Sequence, residues 1–288
     1  MNTEYQNIII VGYGKVAIKI LVYVMERQKD YGYQMEFIEH EEGPYHITKK
    51  ICEEGNISFM QIKEKTMLKK YLDTLCKKTL IISAGNNYIF SNSLIEKENI
   101  TIINFHNALL PNYPGRNAPS WAIYMGEKET GITWHYITEN VDGGNIIFQK
   151  RCNIGEDIRA YELAGNLVEL AHDGFIEVFD NILEEKCGNG TEQFINQSRK
   201  IYLSNEIPSN GVFDLTDSPL YIYRLLRSID YGNSNIFPKP RTYYRGEEIE
   251  ILRFRKIDKN LATSGDSILY LPLKDSNVLK MKYKKTGR

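Results

Sequence analysis

Residues 8–17, which read IIIVGYGKVA, join a buried strand to a helix through a glycine-rich turn. The run Ile8–Val11 is apolar and β-branched and ends at Gly12, which is typical of a parallel strand covered on both faces. The residues that follow, 15–28, carry apolar side chains at helical spacing. A strand that passes directly into a helix in this way predicts an α/β fold.

The alternation of strand and helix continues through the first half of the chain. Further strands are predicted at 34–38, 79–83 and 100–105, with helices at 66–77 and 92–97. Strands separated by helices of this length indicate a mostly parallel, Rossmann-like sheet with helices on both faces.

The pattern changes after residue 130. Strand signals at 133–137 and 146–152 flank an Asp-Gly-Gly-Asn turn, which favours a hairpin-like pair. The longest helical pattern covers 157–186, and Asp157 is suited to cap its start.

A domain boundary is predicted near residue 205, where a polar stretch carries Pro208. We expect residues 1–205 to form the catalytic domain and residues 206–288 a small β-rich, truncated barrel-like domain. The smaller region contains a helix pattern at 218–229 followed by short strands at 242–244, 248–254, 267–271 and 278–283. Its residues 212–288 carry 15 Lys/Arg and 9 Asp/Glu, and this excess of six positive charges favours either nucleotide binding or a solvated face.

Composition limits the class of protein. The 288 residues are 42% hydrophobic with a formal net charge of -1, so we expect a buried core and no overall attraction for nucleic acid. No apolar run reaches the roughly 20 residues needed to span a bilayer, and the N-terminus lacks the pattern of a secretory signal. The four cysteines and five histidines form no ligand motif. We expect a cytoplasmic protein without a membrane segment or a metal.

The turn Gly12-Tyr13-Gly14 begins a GxGxxA pattern between strand and helix. Such a turn can hold the pyrophosphate of NAD, and the acidic residues Glu36, Glu39 and Glu41 stand roughly where a ribose partner would be needed. Tight strand-to-helix turns also favour glycine for packing alone, and the same turn could hold a phosphate of another substrate. An NAD-binding Rossmann protein is therefore the alternative from a different functional class.

The segment 103–149 carries the residues that suit acyl transfer to an amine. Asn104 and His106 lie two apart at a predicted strand end, so they point to the same side at the carboxyl edge of the sheet, and Asp142 lies in a turn. A histidine can take the proton of the amine, an amide can stabilise the oxyanion, and a carboxylate can orient the imidazole. His135, within a strand, is predicted to be structural.

The same segment resembles the signature of the folate-dependent formyltransferases. Asn-x-His at 104–106 is followed by Leu-Leu-Pro-x-Tyr-x-Gly at 109–115, Thr-Gly-x-Thr-x-His at 130–135 and Asp-x-Gly-x-Ile at 142–146. The family includes glycinamide ribonucleotide, methionyl-tRNA and nucleotide-sugar N-formyltransferases, and the resemblance extends over about residues 7–255.

The resemblance implies roles for individual residues. His106 is similar to the general base, Asn104 to the oxyanion donor, and Asp142 to the carboxylate that raises the histidine pKa. N10-formyltetrahydrofolate is the implied co-substrate. The residues implied to bind it are Asn87, Tyr88, Ile89, Phe90, Leu109, Gly115, Asn140 and Val141.

Members of the family differ in the amine that receives the formyl group. The stretch 115–122, GRNAPSWA, looks most like enzymes that act on nucleotide-linked amino sugars. The region 215–255 resembles the start of the C-terminal domain of the tRNA enzymes, but the remainder is short for that barrel. Where the tRNA enzymes carry a basic insertion, the stretch 36–43 is acidic and would repel phosphate.

We therefore expect a nucleotide-sugar acceptor, whose N-formylated product serves the synthesis of a surface polysaccharide such as the O-antigen of lipopolysaccharide, or of another glycan. The expected substrate residues are Gly12, Tyr13, Arg116 and Asn117. Methionyl-tRNA, or another amine on an amino acid or a carrier, remains an alternative acceptor. The family also implies a homodimer. The balanced net charge and the acidic stretch 36–43 predict no bound nucleic acid.

Overall fold

A computed structural model describes residues 3–40, 47–196, 198–234, 236–263, 265–274 and 276–286. Within the acidic stretch 36–43, Glu41, Glu42 and Gly43 lie outside the described residues. The chain forms two compact units. The first comprises Met1–Gly115, Gly131–Cys152 and Asn166–Ile201, and the second comprises Arg116–Thr130, Asn153–Gly165 and Tyr202–Arg288.

A seven-stranded sheet forms the centre of the first unit. Its strands are β1 (Asn7–Gly12), β2 (Gln34–Glu39), β3 (Ser58–Gln61), β4 (Thr79–Ala84), β5 (Ile100–His106), β6 (Glu129–Tyr136) and β7 (Ile146–Asn153). They follow the order β3-β2-β1-β4-β5-β6-β7. The pairs among the first five are parallel, whereas β5 and β6 are antiparallel. The predicted mostly parallel, Rossmann-like sheet is therefore confirmed.

The helices lie between these strands and after them. They are α1 (Gly14–Tyr31), α2 (Ile47–Glu54), α3 (Lys65–Asp73), α4 (Asn92–Ile95), α5 (Ala118–Met125), α6 (Ala160–Leu183) and α7 (Pro219–Ser228). Among the helices of the described residues, none is both long and apolar enough to cross a membrane.

The apolar run of β1 explains why this strand lies inside the sheet. Ile9 and Val11 join a buried cluster with Leu68 and Leu72 of α3, and the intervening Ile8 and Ile10 are also fully buried. Complete burial of such a side chain contributes about 1.5–3 kcal/mol relative to exposure. Burial on both faces fixes β1 centrally, so that its end at Gly12 lies among the other strand ends.

The second unit is built on a four-stranded antiparallel sheet. Its strands are β8 (Arg241–Tyr244), β9 (Glu247–Asp258), β10 (Ile268–Pro272) and β11 (Asn277–Lys285), in the order β10-β11-β9-β8. Ser218 caps α7 by accepting a hydrogen bond from the N–H of Tyr221 at 3.2 Å. Ile222 and Leu226 of this helix share a buried core with the sheet, which confirms the predicted helix-plus-β architecture.

The predicted start of the long helix is wrong. Helix α6 begins at Ala160, three residues after the predicted cap. The carboxylate of Asp157 instead accepts a hydrogen bond from the hydroxyl of Tyr223 at 3.1 Å and lies 3.4 Å from Nζ of Lys256. Tertiary partners therefore determine the position of Asp157, and local helix capping does not.

Candidate active site

The carboxyl ends of three parallel strands present the predicted residues at one edge of the sheet. β1 ends at Gly12, β4 ends at Ala84, and β5 carries Asn104 and His106 at its end. Ligands of open α/β sheets bind at this edge because the loops that follow the strands meet there.

Asp142 reaches this edge from the turn between β6 and β7. One carboxylate oxygen, Oδ2, accepts a hydrogen bond from the N–H of Gly115 at 2.7 Å and lies 3.4 Å from Nδ1 of His106. The other oxygen, Oδ1, lies 3.5 Å from Nε2 of His135. The structure thus brings His106 and Asp142 into contact, as the sequence predicts.

His135 completes the cluster, although the sequence indicated only a structural role. Its Nε2 lies 3.1 Å from Nδ2 of Asn104, and its Nδ1 lies 2.8 Å from the carbonyl oxygen of Tyr136. If Nδ1 donates to that carbonyl, Nε2 is free to accept from the amide of Asn104. His135 therefore orients the amide of Asn104 beside the carboxylate of Asp142.

The electrostatics of the cluster favour a neutral imidazole beside an ionised carboxylate. Burial lowers the pKa of His106, whose side chain is only 5% exposed, and Asp142 acts in the opposite direction without reversing this effect. Burial would raise the pKa of Asp142, but His106, His135 and the N–H of Gly115 together hold it below its ordinary range. The expectation that Asp142 raises the histidine pKa is right in sign, but desolvation is the larger effect.

The hydrogen bond of His106 to the backbone selects its reactive nitrogen. Nε2 lies 2.9 Å from the carbonyl oxygen of Tyr113, a contact that requires an N–H donor on the ring. In the neutral ring Nδ1 then carries the lone pair, and it faces Asp142. A proton taken up at Nδ1 would form an ion pair with that carboxylate.

The loop after β4 contains the residues predicted to hold the folate. Tyr88 and Phe90 turn their rings into the core, 5.2 Å apart, whereas Ile89 is 79% exposed. Oδ1 of Asn86 accepts a hydrogen bond from the N–H of Tyr88 at 2.9 Å, which shapes the loop. Nδ2 of Asn87 lies 3.5 Å from the hydroxyl of Tyr13.

The remaining predicted folate residues lie on two other segments of the first unit. Leu109 belongs to a loop that Thr133 anchors. The hydroxyl of Thr133 donates a hydrogen bond to the carbonyl oxygen of Ala108 at 2.7 Å. Asn140 and Val141 precede Asp142 in its turn, and both are exposed to solvent.

The candidate substrate residues divide between the two units. In the first, a Cβ on Gly12 would lie 2.0 Å from the carbonyl oxygen of Ala84, so close packing alone requires a glycine there. Tyr13 follows it, and its N–H donates to the carbonyl of Gly85 at 3.3 Å. Arg116 and Asn117 belong to the second unit, where they precede α5.

No group of three or more His, Cys, Asp or Glu side chains that could hold a metal ion occurs within the described parts of the chain.

Curated proteins of two kinds are among those that resemble the sequence. GDP-perosamine N-formyltransferases of Brucella melitensis and Brucella abortus are each 33% identical over 127 residues, which is 44% of this chain and 47% of theirs. The methionyl-tRNA formyltransferase of Clostridioides difficile is 26% identical over 223 residues, 77% of this chain and 69% of that protein. The chain thus matches about half the length of the former and about two thirds of the latter.

Two solved structures share the fold over almost the whole chain. WlaRD, a sugar 3N-formyl transferase crystallised with dTDP and 5-N-formyl-THF, has a TM-score of 0.72 at 16% identity and covers 98% of both chains. The N-formyltransferase from Helicobacter canadensis, in complex with folinic acid and dTDP-3-aminofucose, has a TM-score of 0.73 at 17% identity. This match covers 97% of this chain and 100% of that one.

A family model described as formyl transferase matches residues 8–179. The match includes the loop after β4, the strand end with Asn104 and His106, and the turn with Asp142. Since it covers more than half of the 288 residues, the protein belongs to the formyl transferase family.

Proposed function

We propose that the protein transfers a formyl group from N10-formyltetrahydrofolate to the primary amine of a nucleotide-linked amino sugar. The observation that carries the proposal is the buried cluster in which the carboxylate of Asp142 contacts His106 and the N–H of Gly115. A base, an amide donor and an orienting carboxylate at one strand edge are the groups that acyl transfer to an amine requires.

The predicted folate segments suit an aromatic ligand. The chain at 85–90 is neither helix nor strand, so its N–H and C=O groups are not used by a regular ladder. Ile89 of this loop and Val141 of the Asp142 turn each present an exposed apolar side chain. We assign pteridine binding to these two segments, and the folate supplies the formyl group.

The chain's own residues then perform three tasks. His106, neutral because it is buried, takes the proton from the attacking amine at Nδ1, and Asp142 stabilises the resulting imidazolium. We assign the same proton to the leaving nitrogen N10 of tetrahydrofolate, as its bond to the formyl carbon breaks. Nδ2 of Asn104 carries two hydrogens. One faces His135, and we assign the second to the oxygen of the formyl group.

Two observations support an amino sugar as the acceptor. The Brucella relatives are named for GDP-perosamine, an amino-sugar nucleotide. Among the solved structures that match almost the whole chain, WlaRD is a sugar 3N-formyl transferase and the Helicobacter canadensis enzyme is in complex with dTDP-3-aminofucose. We propose Gly12, Tyr13, Arg116 and Asn117 as residues that contact the acceptor.

A screen of amino-sugar nucleotides tests the acceptor. The purified protein is incubated with N10-formyltetrahydrofolate and GDP-, dTDP- or UDP-linked 3-amino and 4-amino sugars, and mass spectrometry detects the gain of one formyl group. Formylation of at least one sugar, absent without folate, is the expected result. The His106→Ala variant is the control for non-enzymatic transfer.

Methionyl-tRNA is the second candidate acceptor, because the tRNA enzyme of Clostridioides difficile matches the longer part of this chain. Formylation of Met-tRNA with no gain on any sugar would reverse the choice. If neither the sugars nor Met-tRNA are formylated, we infer that the acceptor is another amine, on an amino acid or a carrier. An increase of NADH fluorescence on mixing, without dependence on folate, would instead favour the dinucleotide alternative.

We further propose a cytoplasmic homodimer whose product enters the synthesis of a surface polysaccharide such as O-antigen. The family resemblance supports these assignments. We also propose that residues 1–205 carry the catalytic residues and that residues 206–288 form the β-rich part of the chain. Light scattering of the purified protein tests the dimer.

A further inference from the structure

The turn that carries Asp142 is fixed weakly by its own backbone. Asp142 has a φ of 48°, in the left-handed region that residues with a side chain adopt at a cost. Within the turn, the N–H of Gly143 donates to the carbonyl of Asn140 at 3.0 Å. Contacts from elsewhere in the chain are therefore needed to hold the carboxylate against its partners.

Gln193 supplies two of these contacts. Its Nε2 donates to the carbonyl oxygen of Asp142 at 3.1 Å and to that of Gly144 at 2.6 Å. The side chain is buried, with 7% of the residue exposed. One amide nitrogen thus binds the turn on both sides of Gly143.

The oxygen of the same amide indicates that Gln193 is not present for stability alone. Oε1 of Gln193 is buried and has no hydrogen-bond partner among the described residues. An acceptor left in this way costs about 1–3 kcal/mol. The opposite orientation of the amide would place its oxygen against two carbonyl oxygens, so the two contacts to the turn determine its orientation.

Arg199, which follows Gln193 in the sequence, binds the same turn. Its Nη2 donates to the carbonyl oxygen of Val141, and its Nη1 lies 3.5 Å from that of Asp142. Gln193 and Arg199 together therefore contact the backbone carbonyls of Val141, Asp142 and Gly144.

We propose that Gln193 and Arg199 are positioning residues that hold the carboxylate of Asp142 at His106 and Gly115. The inference rests on the proposed function, because it gives Asp142 a catalytic role. Displacement of a catalytic group by about 1 Å can reduce a rate by about a hundredfold. The two residues act on the reaction through Asp142 and need not contact the substrates.

The first test separates turnover from binding. In Gln193→Ala we expect kcat to fall about 10- to 100-fold while KM for both substrates stays within about threefold, since only the carboxylate is misplaced. Arg199→Lys, which keeps the charge but loses the planar two-nitrogen geometry, should lose kcat in the same way. Gln34→Ala, at an exposed position of β2, is the matched control and should keep wild-type kcat. Wild-type kcat in Gln193→Ala would overturn the proposal.

The second test asks whether Gln193 acts through Asp142. If it does, adding Gln193→Ala to Asp142→Ala should reduce the residual rate no further, because the group that Gln193 positions is already absent. Single-turnover product formation is the measurement. A loss that multiplies the losses of the two single variants would show an independent effect and contradict the proposal.

A third measurement does not depend on activity. The chain contains one Pro-Gly step, Pro114-Gly115, so labelling proline carbonyl carbon and glycine nitrogen selects the Gly115 amide in an NMR spectrum. Its N–H donates to Asp142, and we expect its proton resonance to move upfield in Gln193→Ala as this bond lengthens. An unchanged resonance would refute positioning by Gln193. If the resonance moves but the wild-type protein formylates no acceptor, the proposed function fails and the structural inference stands.

Discussion

His106 is the residue on which the proposed chemistry depends most, because it is the group we assign as the proton acceptor. General-base catalysis typically contributes 10²- to 10⁴-fold, so His106→Ala should lower kcat by about that factor. The fold should persist, as shown by an unfolding temperature close to that of the wild type. His172→Ala, on α6, is the histidine control and should keep turnover. Near-full formyl transfer by His106→Ala would remove this residue from the mechanism.

The direction of the His106 pKa determines a pH dependence. The neutral ring is the active form, so kcat/KM should fall as the pH drops through the pKa of His106, which burial lowers below the ordinary histidine value. Asp142 stabilises the protonated ring and thus raises that pKa. Asp142→Asn should therefore move the acidic limb of the kcat/KM profile to lower pH, in addition to lowering its maximum. A shift of this limb to higher pH would contradict the assigned interaction.

The sequence allowed part of this cluster to be predicted. Asn104 and His106 share one side of a strand because they are two residues apart, and the motif placed Asp142 with them. The contact of His135 with Asn104 was not predicted, because it depends on the antiparallel pairing of β5 with β6, in which the two residues lie opposite each other. This register is set by tertiary packing and turn geometry, which one sequence does not reveal.

At the scale of elements, we expect Gly→Ala to have opposite effects on the free energy of unfolding at two glycines. Gly165 lies inside α6, and a Cβ there would meet nothing within 4 Å. Gly165→Ala should raise the free energy of unfolding by about 0.5–1 kcal/mol, because alanine suits a helix interior. In β6, a Cβ on Gly131 would lie 2.1 Å from the carbonyl oxygen of Lys150. Gly131→Ala should therefore lower the free energy of unfolding by about 1–3 kcal/mol.

Denaturant unfolding of both glycine variants checks this pair. Equal effects, or a stable Gly131→Ala, would show that the strands β6 and β7 can separate more easily than their backbones indicate.

Elements with strong periodicity were predicted well, and weakly patterned ones were not. The apolar run of β1 and the long stripe of α6 are confirmed within a few residues at most ends. α2 and β3 were not predicted. β3 is a four-residue edge strand without fully buried side chains, so it lacks the apolar alternation that indicates a strand.

At the scale of the whole molecule, each compact unit is built from segments that are not consecutive in the sequence. The sequence indicates a boundary near 205 from its polar composition, but the second unit also includes Arg116–Thr130 and Asn153–Gly165. Composition along the chain reveals linkers and cannot reveal that earlier segments pack with later ones.

These two divisions predict different behaviour of a chain cut after residue 205. Within the second unit, the hydroxyls of Tyr124 and Tyr221 lie 3.1 Å apart, and Arg159 forms an ion pair with Asp230 at 2.9 Å. The cut would remove one partner of each pair and leave α5 without the apolar core that α7 and the sheet provide. We therefore expect residues 1–205 to aggregate or to unfold without a cooperative transition, because each large apolar side chain newly exposed costs about 1.5–3 kcal/mol. Size-exclusion chromatography and thermal circular dichroism, with the full chain as control, measure this. A monodisperse 1–205 fragment that unfolds cooperatively at the temperature of the full chain would instead support an independent domain that ends near residue 205.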